Sequence, residues 1–236
     1  MIPHIIHYCW FGGKPLPKLA VKCKSSWGKF FPDYKIREWN EANFDVNQCE
    51  YTKYCYEHKL WAYLSDYVRL WVVEKYGGLY FDTDVEVVRR PDELLNACSA
   101  YFGWETPRFL NTGLGFAAEA HHEAVRLMLK KYDGLVEHGV YRFDGDKMWG
   151  CPQLNTLALE ECGLIRDGSM QVVCDALVLP VEYLCPYTDA TGELNVTDKT
   201  VSIHWFSKSP HGKWAAWKMR LMRPLRRMLN NIVGGV

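Results

Sequence analysis

A helical pattern from Glu57 to Tyr76 closes on Gly77-Gly78 and runs straight into Leu79-Tyr80-Phe81-Asp82-Thr83-Asp84-Val85-Glu86-Val87-Val88, a strand-like run interrupted by two carboxylates. A glycine pair in that position suits a left-handed helix C-terminus. The pattern therefore predicts a helix that feeds a buried strand with almost no loop between them. Upstream, Ile5 to Phe11 is an apolar, aromatic-rich run ending in Gly12-Gly13, which predicts a first strand and a turn. Pro17 can open a helix running to about Trp27, and Tyr34 to Trp39 alternates as a second strand should. Strand, helix, strand, helix, strand in the first 88 residues predicts an α/β fold. Later segments are less regular. Ala100–Trp104, Gly113–Ala117, Val172–Leu179 and Val201–Phe206 suit extended structure, and Ala120–Val136 and Gln153–Cys162 suit helices.

The 236 residues suffice for one domain with a sizeable core, and 48% apolar with 24% charged residues is ordinary for a globular chain. No apolar run approaches the roughly 20 residues of a membrane span. The N-terminus has no basic segment ahead of an apolar stretch, so a cytoplasmic location is expected. Nine cysteines, an odd number without a CxxC pair, argue against a disulfide framework or a zinc ribbon and for mainly buried, reduced thiols. The net charge of zero conceals a split. The last 38 residues hold eight basic groups and no acidic one, leaving the rest of the chain acidic.

Asp82-Thr83-Asp84 is the chemical centre. In an extended segment, residues two apart point to the same face about 7 Å apart, which leaves two like charges in need of a cation. The carboxylates also arrive where an apolar strand would leave the core, which is where open α/β sheets bind ligands. Oxygen ligands of this kind suit Mg²⁺ or Mn²⁺ held together with substrate phosphates. A solvated turn bearing two acids is the bland alternative. On the preceding helix, Asp66 and Arg69 are three apart and share a face among apolar neighbours, so they are expected to be partly buried and to need polar partners.

The stretch Leu64-Ser65-Asp66-Tyr67-Val68-Arg69-Leu70, then Tyr76 to Val85, together with the opening Ile2-Pro3-His4-Ile5-Ile6-His7-Tyr8-Cys9-Trp10, resembles glycosyltransferase family 32, the enzymes with a DXD sugar-binding motif. That family includes Golgi alpha-mannosyltransferases and bacterial capsular polysaccharide enzymes. The resemblance implies a GT-A fold, a Rossmann-like mixed sheet flanked by helices, forming a domain over 1–212. It also implies a retaining transferase that moves a sugar from a nucleotide-sugar to a glycan or lipid-linked acceptor in surface polysaccharide synthesis. A UDP-sugar is the expected donor, with GDP-mannose the alternative.

By the same resemblance, Asp84 coordinates the metal and Asp82 contacts sugar hydroxyls or the metal, while Ser65, Asp66 and Arg69 hold the donor sugar and its phosphate and Tyr80 lines the pocket. Trp10 would lie against the base, or else be a core tryptophan. His204 would be a late metal ligand, favouring Mn²⁺. Lys213 and Trp214 are candidates for pyrophosphate or lid contacts. Asn111 would lie near the reacting sugar or serve only turn chemistry. Glu105 and Asp144 are acids that nothing in the sequence singles out.

Residues 213–236 read as a basic amphipathic helix, interrupted by Pro224. It would either lie on an anionic membrane or pack on the acidic body. Nucleic acid is not an expected partner, because the remainder of the chain is acidic. Two other classes fit a bare DxD: a metal-dependent phosphoesterase, which would need ligands for a second ion, and a non-catalytic carbohydrate-binding protein suggested by the 14% aromatic content.

Overall fold

The computed structural model of the chain describes residues 1–138, 150–207 and 223–224. In chain order the elements are β1 (Ile5–Cys9), α1 (Lys18–Phe30), β2 (Lys35–Trp39), α2 (Glu50–Glu57), α3 (Trp61–Tyr76), β3 (Gly78–Tyr80), β4 (Val85–Val87), α4 (Asp92–Ala97), β5 (Ala100–Thr106), β6 (Phe109–Leu110), a 3-10 turn (Thr112–Leu114), β7 (Phe116–Ala118), α5 (Glu123–His138), α6 (Cys151–Glu160), β8 (Gln171–Val173), β9 (Ala176–Leu179), α7 (Val181–Leu184), β10 (Tyr187–Thr188), β11 (Glu193–Leu194) and β12 (Ser202–His204). One mixed sheet runs in the order β2-β1-β3-β7-β5-β9-β8, with β6 paired to β5. The pairs β1–β2, β1–β3 and β5–β9 are parallel, whereas β7 runs against both β3 and β5. The expected α/β architecture with a mixed sheet flanked by helices is what forms.

Local chemistry explains the elements that frame the DxD segment. In α1, Ala20, Cys23 and Trp27 recur at helical spacing and are the buried residues of that helix. The helix then grips the chain just past the acids: the Trp27 indole N–H donates to the Val85 carbonyl at 2.8 Å, and Ser26 Oγ accepts from the Val87 N–H at 2.9 Å. In α3, Leu64, Tyr67, Val68, Arg69, Leu70, Val72 and Val73 are all buried, so this helix is covered nearly all round. The chain turns from α3 into β3 with positive φ at Gly77 and Gly78, and a Cβ on Gly78 would lie 2.6 Å from the Ile5 carbonyl oxygen, so only glycine fits.

Buried His7 braces this turn. Trp39 Nε1–H donates to Nδ1 at 3.0 Å, which fixes that nitrogen as the acceptor, so Nε2–H donates to the Gly77 carbonyl at 2.9 Å. Burial pulls the His7 pKa down to about 4, and the ring is therefore neutral at ordinary pH.

Three secondary-structure expectations are corrected. The helix read from Glu57 to Tyr76 begins only at Trp61, because α2 ends at Glu57 and Lys59 adopts a left-handed φ of 57° in the break between α2 and α3. The strand read from Leu79 to Val88 is also two, β3 in the main sheet and β4 in a separate pair with β12, with the acids in the turn between them. The run read as extended from Gly113 opens instead as a 3-10 turn before β7. The cysteines are mainly thiols as expected, seven being free, but Cys162 and Cys174 form a disulfide.

Among the described residues no helix is long and apolar enough to cross a membrane. The C-terminal segment, including Lys213 and Trp214, lies outside the described residues apart from Arg223 and Pro224, and so does Asp144. Arg223 packs on the body: its guanidinium pairs with the Asp189 carboxylate at 3.1 Å and lies over the Tyr187 ring.

Exposed Gly28, inside α1, has open space around its missing Cβ and no positive φ. Gly28→Ala is expected to stabilise the protein by about 0.5–1 kcal/mol through helix propensity alone, read as an upward shift of the urea midpoint. An unchanged or lower midpoint would contradict the packing described for α1.

Candidate active site

The turn after β3 gathers the acids. Asp82 and Asp84 do not lie on one extended face. The Val85 N–H donates back to the Asp82 carbonyl at 3.0 Å, curling the segment before β4 begins. β12 then pairs antiparallel with β4 so that His204 stands opposite Val85, and the Trp205 N–H donates to the Asp84 carbonyl. This pairing, across more than a hundred residues of sequence, delivers His204 to Asp84.

His204 Nε2 lies 3.1 Å from Asp84 Oδ1, and the Ser207 N–H donates to Asp84 Oδ2 at 2.7 Å. Burial opposes charge on Asp84, but His204 and the Ser207 contacts outweigh it and hold the carboxyl well below the usual carboxylate range. Ligand atoms of Asp82, Asp84 and His204 all lie within 4.8 Å of one another. Among the described residues this is the one grouping of three such side chains able to hold a metal ion. The donors fit a divalent ion: two carboxylates and one imidazole, with the buried His204 Nδ1 lacking a hydrogen-bond partner.

Asp66 and Arg69 are brought to the same place, as their shared helix face predicts. Arg69 is 3% exposed; burial opposes its charge, but Asp82 and Asp66 outweigh it and keep the guanidinium protonated. Its Nη2 bonds Asp66 Oδ1 at 2.9 Å and reaches both oxygens of Asp82 at 3.0 and 3.1 Å. Two carboxylates thus share one guanidinium, and the trio retains a net negative charge facing the metal-binding atoms. Burial pushes the Asp66 carboxyl up to about 6, against the pull of Arg69. The Tyr80 hydroxyl donates to Asp82 Oδ1 at 3.0 Å and helps fix that carboxylate.

Gly113, in the 3-10 turn, closes the other side. A Cβ there would meet Asp82 Oδ2 at 2.5 Å, Asn111 Oδ1 at 2.9 Å and Arg69 Nη1 at 3.0 Å. Asn111 is therefore at the site, and it is also turn chemistry: its Oδ1 accepts from the Gly113 N–H at 2.6 Å. Its Nδ2 donates to Glu105 Oε2 at 2.5 Å, which places Glu105 here as well. Ser65 lies on α3 beside Asp66, and its hydroxyl is turned to the helix backbone, donating to the Trp61 carbonyl at 2.8 Å. Trp10, half-buried after β1, packs against the core with its indole N–H on the Lys14 carbonyl.

The sequence reading missed Cys151, whose sulfur meets Arg69 Nη1, and Thr112 and Asn155, which bond that sulfur and each other. A cysteine at the start of an unremarkable helix carries no signal of its own.

A second polar pair, Ser99 and His122, has no such chemistry. The Ala124 N–H donates to His122 Nδ1 at 3.2 Å, so Nε2 carries the proton and donates to Ser99 Oγ, which itself donates to the Asp175 carbonyl. The imidazole has no free lone pair aimed at the serine and cannot act as its base.

Residues 17–100 match the family model of the glycosyltransferase sugar-binding region containing the DXD motif. The inositol phosphoceramide mannosyltransferase 3 of Schizosaccharomyces pombe is 30% identical over 99 residues, which span 40% of this chain and 28% of that protein. The chain thus matches little more than a quarter of that relative's length. Among solved structures, the PaToxG glycosyltransferase aligns with a TM-score of 0.53 at 18% identity over 68% of this chain and 69% of the other. A glycosyltransferase involved in glycosylation of the major capsid of PBCV-1 aligns at 0.51 and 14% identity, over 92% of this chain and all of the other. These structural likenesses establish a shared GT-A fold.

Proposed function

We propose that this chain, which carries a DXD-containing glycosyltransferase sugar-binding region on a GT-A fold, is a metal-dependent hexosyltransferase that uses a nucleotide-sugar donor. The observation that carries the reading is the convergence of Asp66, Arg69, Asp82, Asp84 and His204 where the sheet ends. A bound divalent ion would neutralise the charge that builds on a departing nucleoside diphosphate. Asp84, His204 and Asp82 would hold it, and the imidazole favours Mn²⁺ over Mg²⁺. Arg69 offers N–H donors to a phosphate or sugar hydroxyl, and Asp66 accepts from sugar hydroxyls. Trp10 offers an aromatic face to the base at the end of β1.

A retaining reaction by front-face attack fits the state of the acids. Asp66 and Asp82 are held by Arg69, Asp84 by His204 and Ser207, and Glu105 by Asn111, so each carboxylate at the site is already engaged. The acceptor we assign is a glycan or lipid-linked glycan of a surface polysaccharide. For the donor we favour a UDP-sugar. GDP-mannose is the second reading, favoured by the mannosyltransferase relative. A two-metal phosphoesterase is disfavoured, since the described residues offer no second cluster of metal-binding side chains.

Thermal denaturation against a panel of UDP- and GDP-sugars, with Mn²⁺ or with EDTA, tests the reading. One donor is expected to raise the Tm only when Mn²⁺ is present, since ligand at 100 times its Kd stabilises by about 2.7 kcal/mol. That donor should also be hydrolysed slowly without acceptor, which separates a transferase from a binding protein. A panel without any Mn²⁺-dependent shift would refute the assignment.

A further inference from the structure

The Arg69 guanidinium has three nitrogens, and only Nη2 meets carboxylates. Nε is buried without a hydrogen-bond partner, and Nη1 points at a sulfur: Cys151 Sγ, 3.3 Å away. Cys151 is the first residue of α6 and is 2% exposed. Its N–H also reaches Asp66 Oδ2 at 3.4 Å. A buried cysteine most often behaves as a small hydrophobe. This one sits instead among four polar side chains, with Asn111 Oδ1 at 3.2 Å and Thr112 Oγ1 and Asn155 Nδ2 each at 3.3 Å.

The proton directions in this network follow from its fixed donors. The Gly113 N–H donates to Asn111 Oδ1, so that atom is an oxygen and can only accept; the Cys151 S–H must donate to it. Asn155 Nδ2 donates to both Thr112 Oγ1 and Cys151 Sγ, which leaves the Thr112 hydroxyl proton free to donate to sulfur. The sulfur thus accepts from Arg69, Thr112 and Asn155 and donates to Asn111. A thiolate would set its charge against the Asn111 oxygen and lose that bond. Burial likewise keeps the thiol protonated, pushing its pKa up to about 12.

The result is one continuous chain of contacts, Glu105–Asn111–Cys151–Arg69–Asp82, joining the two sides of the site. We infer that Cys151 is a positioning residue: its neutral thiol holds the Arg69 guanidinium and the Asn111 amide in the orientations in which they meet the donor sugar and its phosphate. This inference rests on the reading of the site as a nucleotide-sugar pocket. Cys151 itself does not touch substrate. Without the sulfur, Nη1 joins Nε as a second guanidinium nitrogen lacking a partner, and Asn111 loses the bond that ties it to Arg69, keeping only those to Gly113 and Glu105.

Two measurements decide it. In Mn²⁺-dependent donor hydrolysis, Cys151→Ala is expected to lose about tenfold or more in kcat/KM, the size of a lost hydrogen bond to a charged group. Cys151→Ser keeps a donor and acceptor and should remain within about threefold of the wild type, a rescue that loss of packing alone would not give. Full activity of the alanine variant, or equal losses in both variants, would overturn the inference.

The second measurement needs no turnover. In a urea-midpoint cycle of Cys151→Ala with Arg69→Lys, the lysine substitution should shift the midpoint less in the alanine background than in the wild type, because the bond it breaks is already gone. Additive shifts overturn the inference. Should the alanine variant fail to fold, Cys151→Val fills the space without a hydrogen bond and takes its place. Wild-type protein that hydrolyses no donor refutes the functional reading, while the cycle still decides the role of Cys151.

Discussion

Asp84→Asn is expected to lower donor hydrolysis and transfer by about 10²–10³-fold while leaving the fold intact, the loss that follows removal of one preorganised group at developing charge. Asparagine keeps the shape of aspartate, and its oxygen can still accept from the Ser207 N–H, so the turn that leads into β4 survives. What disappears is a formal charge held between His204 and the metal-binding face of Asp82. Two acids and an imidazole become one acid and an imidazole, and affinity for a hard divalent ion falls with them. Kinetics at increasing Mn²⁺ would show a raised half-saturation concentration together with a lowered kcat. An unimpaired variant with wild-type Mn²⁺ dependence would remove Asp84 from the mechanism.

Gly113→Ala has the second large effect, for a steric reason alone. Gly113 has no left-handed φ to forbid a side chain, but the added methyl would sit 2.5 Å from Asp82 Oδ2. That carboxylate cannot retreat, being fixed on both oxygens by Arg69 and on Oδ1 by the Tyr80 hydroxyl. The methyl must therefore push Asp82 or Arg69 out of register. Overpacking of this kind costs about 1–3 kcal/mol of stability, and the displaced pair should cost activity out of proportion to it. Urea denaturation and donor hydrolysis on the same preparation would read both; wild-type behaviour in the two would show that the approach of the turn to Asp82 is not as close as described. Gly28→Ala, with open space around it, serves as the contrasting glycine.

Much of this site is legible in the sequence, and the reasons are local. A helix ending in two glycines and feeding an apolar strand is written in consecutive residues, as is the shared face of Asp66 and Arg69. The acids were correctly placed at the end of a core strand, but their geometry was not. The extended reading of Asp82-Thr83-Asp84 ignored that β4 leaves the main sheet to pair with β12, a partner more than a hundred residues away. The break at Lys59 was hidden because a left-handed lysine has no sequence signature, unlike a glycine in the same conformation. His204 could be suspected only through the family resemblance. Cys151 was not legible at all: its significance comes from Arg69, 82 residues earlier, and from Asn111, 40 residues earlier. Such a polar cluster is assembled by packing α6 against α5, β6 and the 3-10 turn, and no pattern within α6 announces it.

The central claim is that the turn after β3 grips a divalent ion which, with Arg69, receives a sugar diphosphate. A crystal structure of the protein with Mn²⁺ and the nucleotide-sugar selected by thermal shift tests it most directly, since manganese can be located by its anomalous scattering. The account predicts the ion bonded to Asp84 and His204, with the diphosphate beside Arg69. An ion bound elsewhere, or a nucleotide-sugar seated away from Asp66, Arg69 and Asp82, would contradict it.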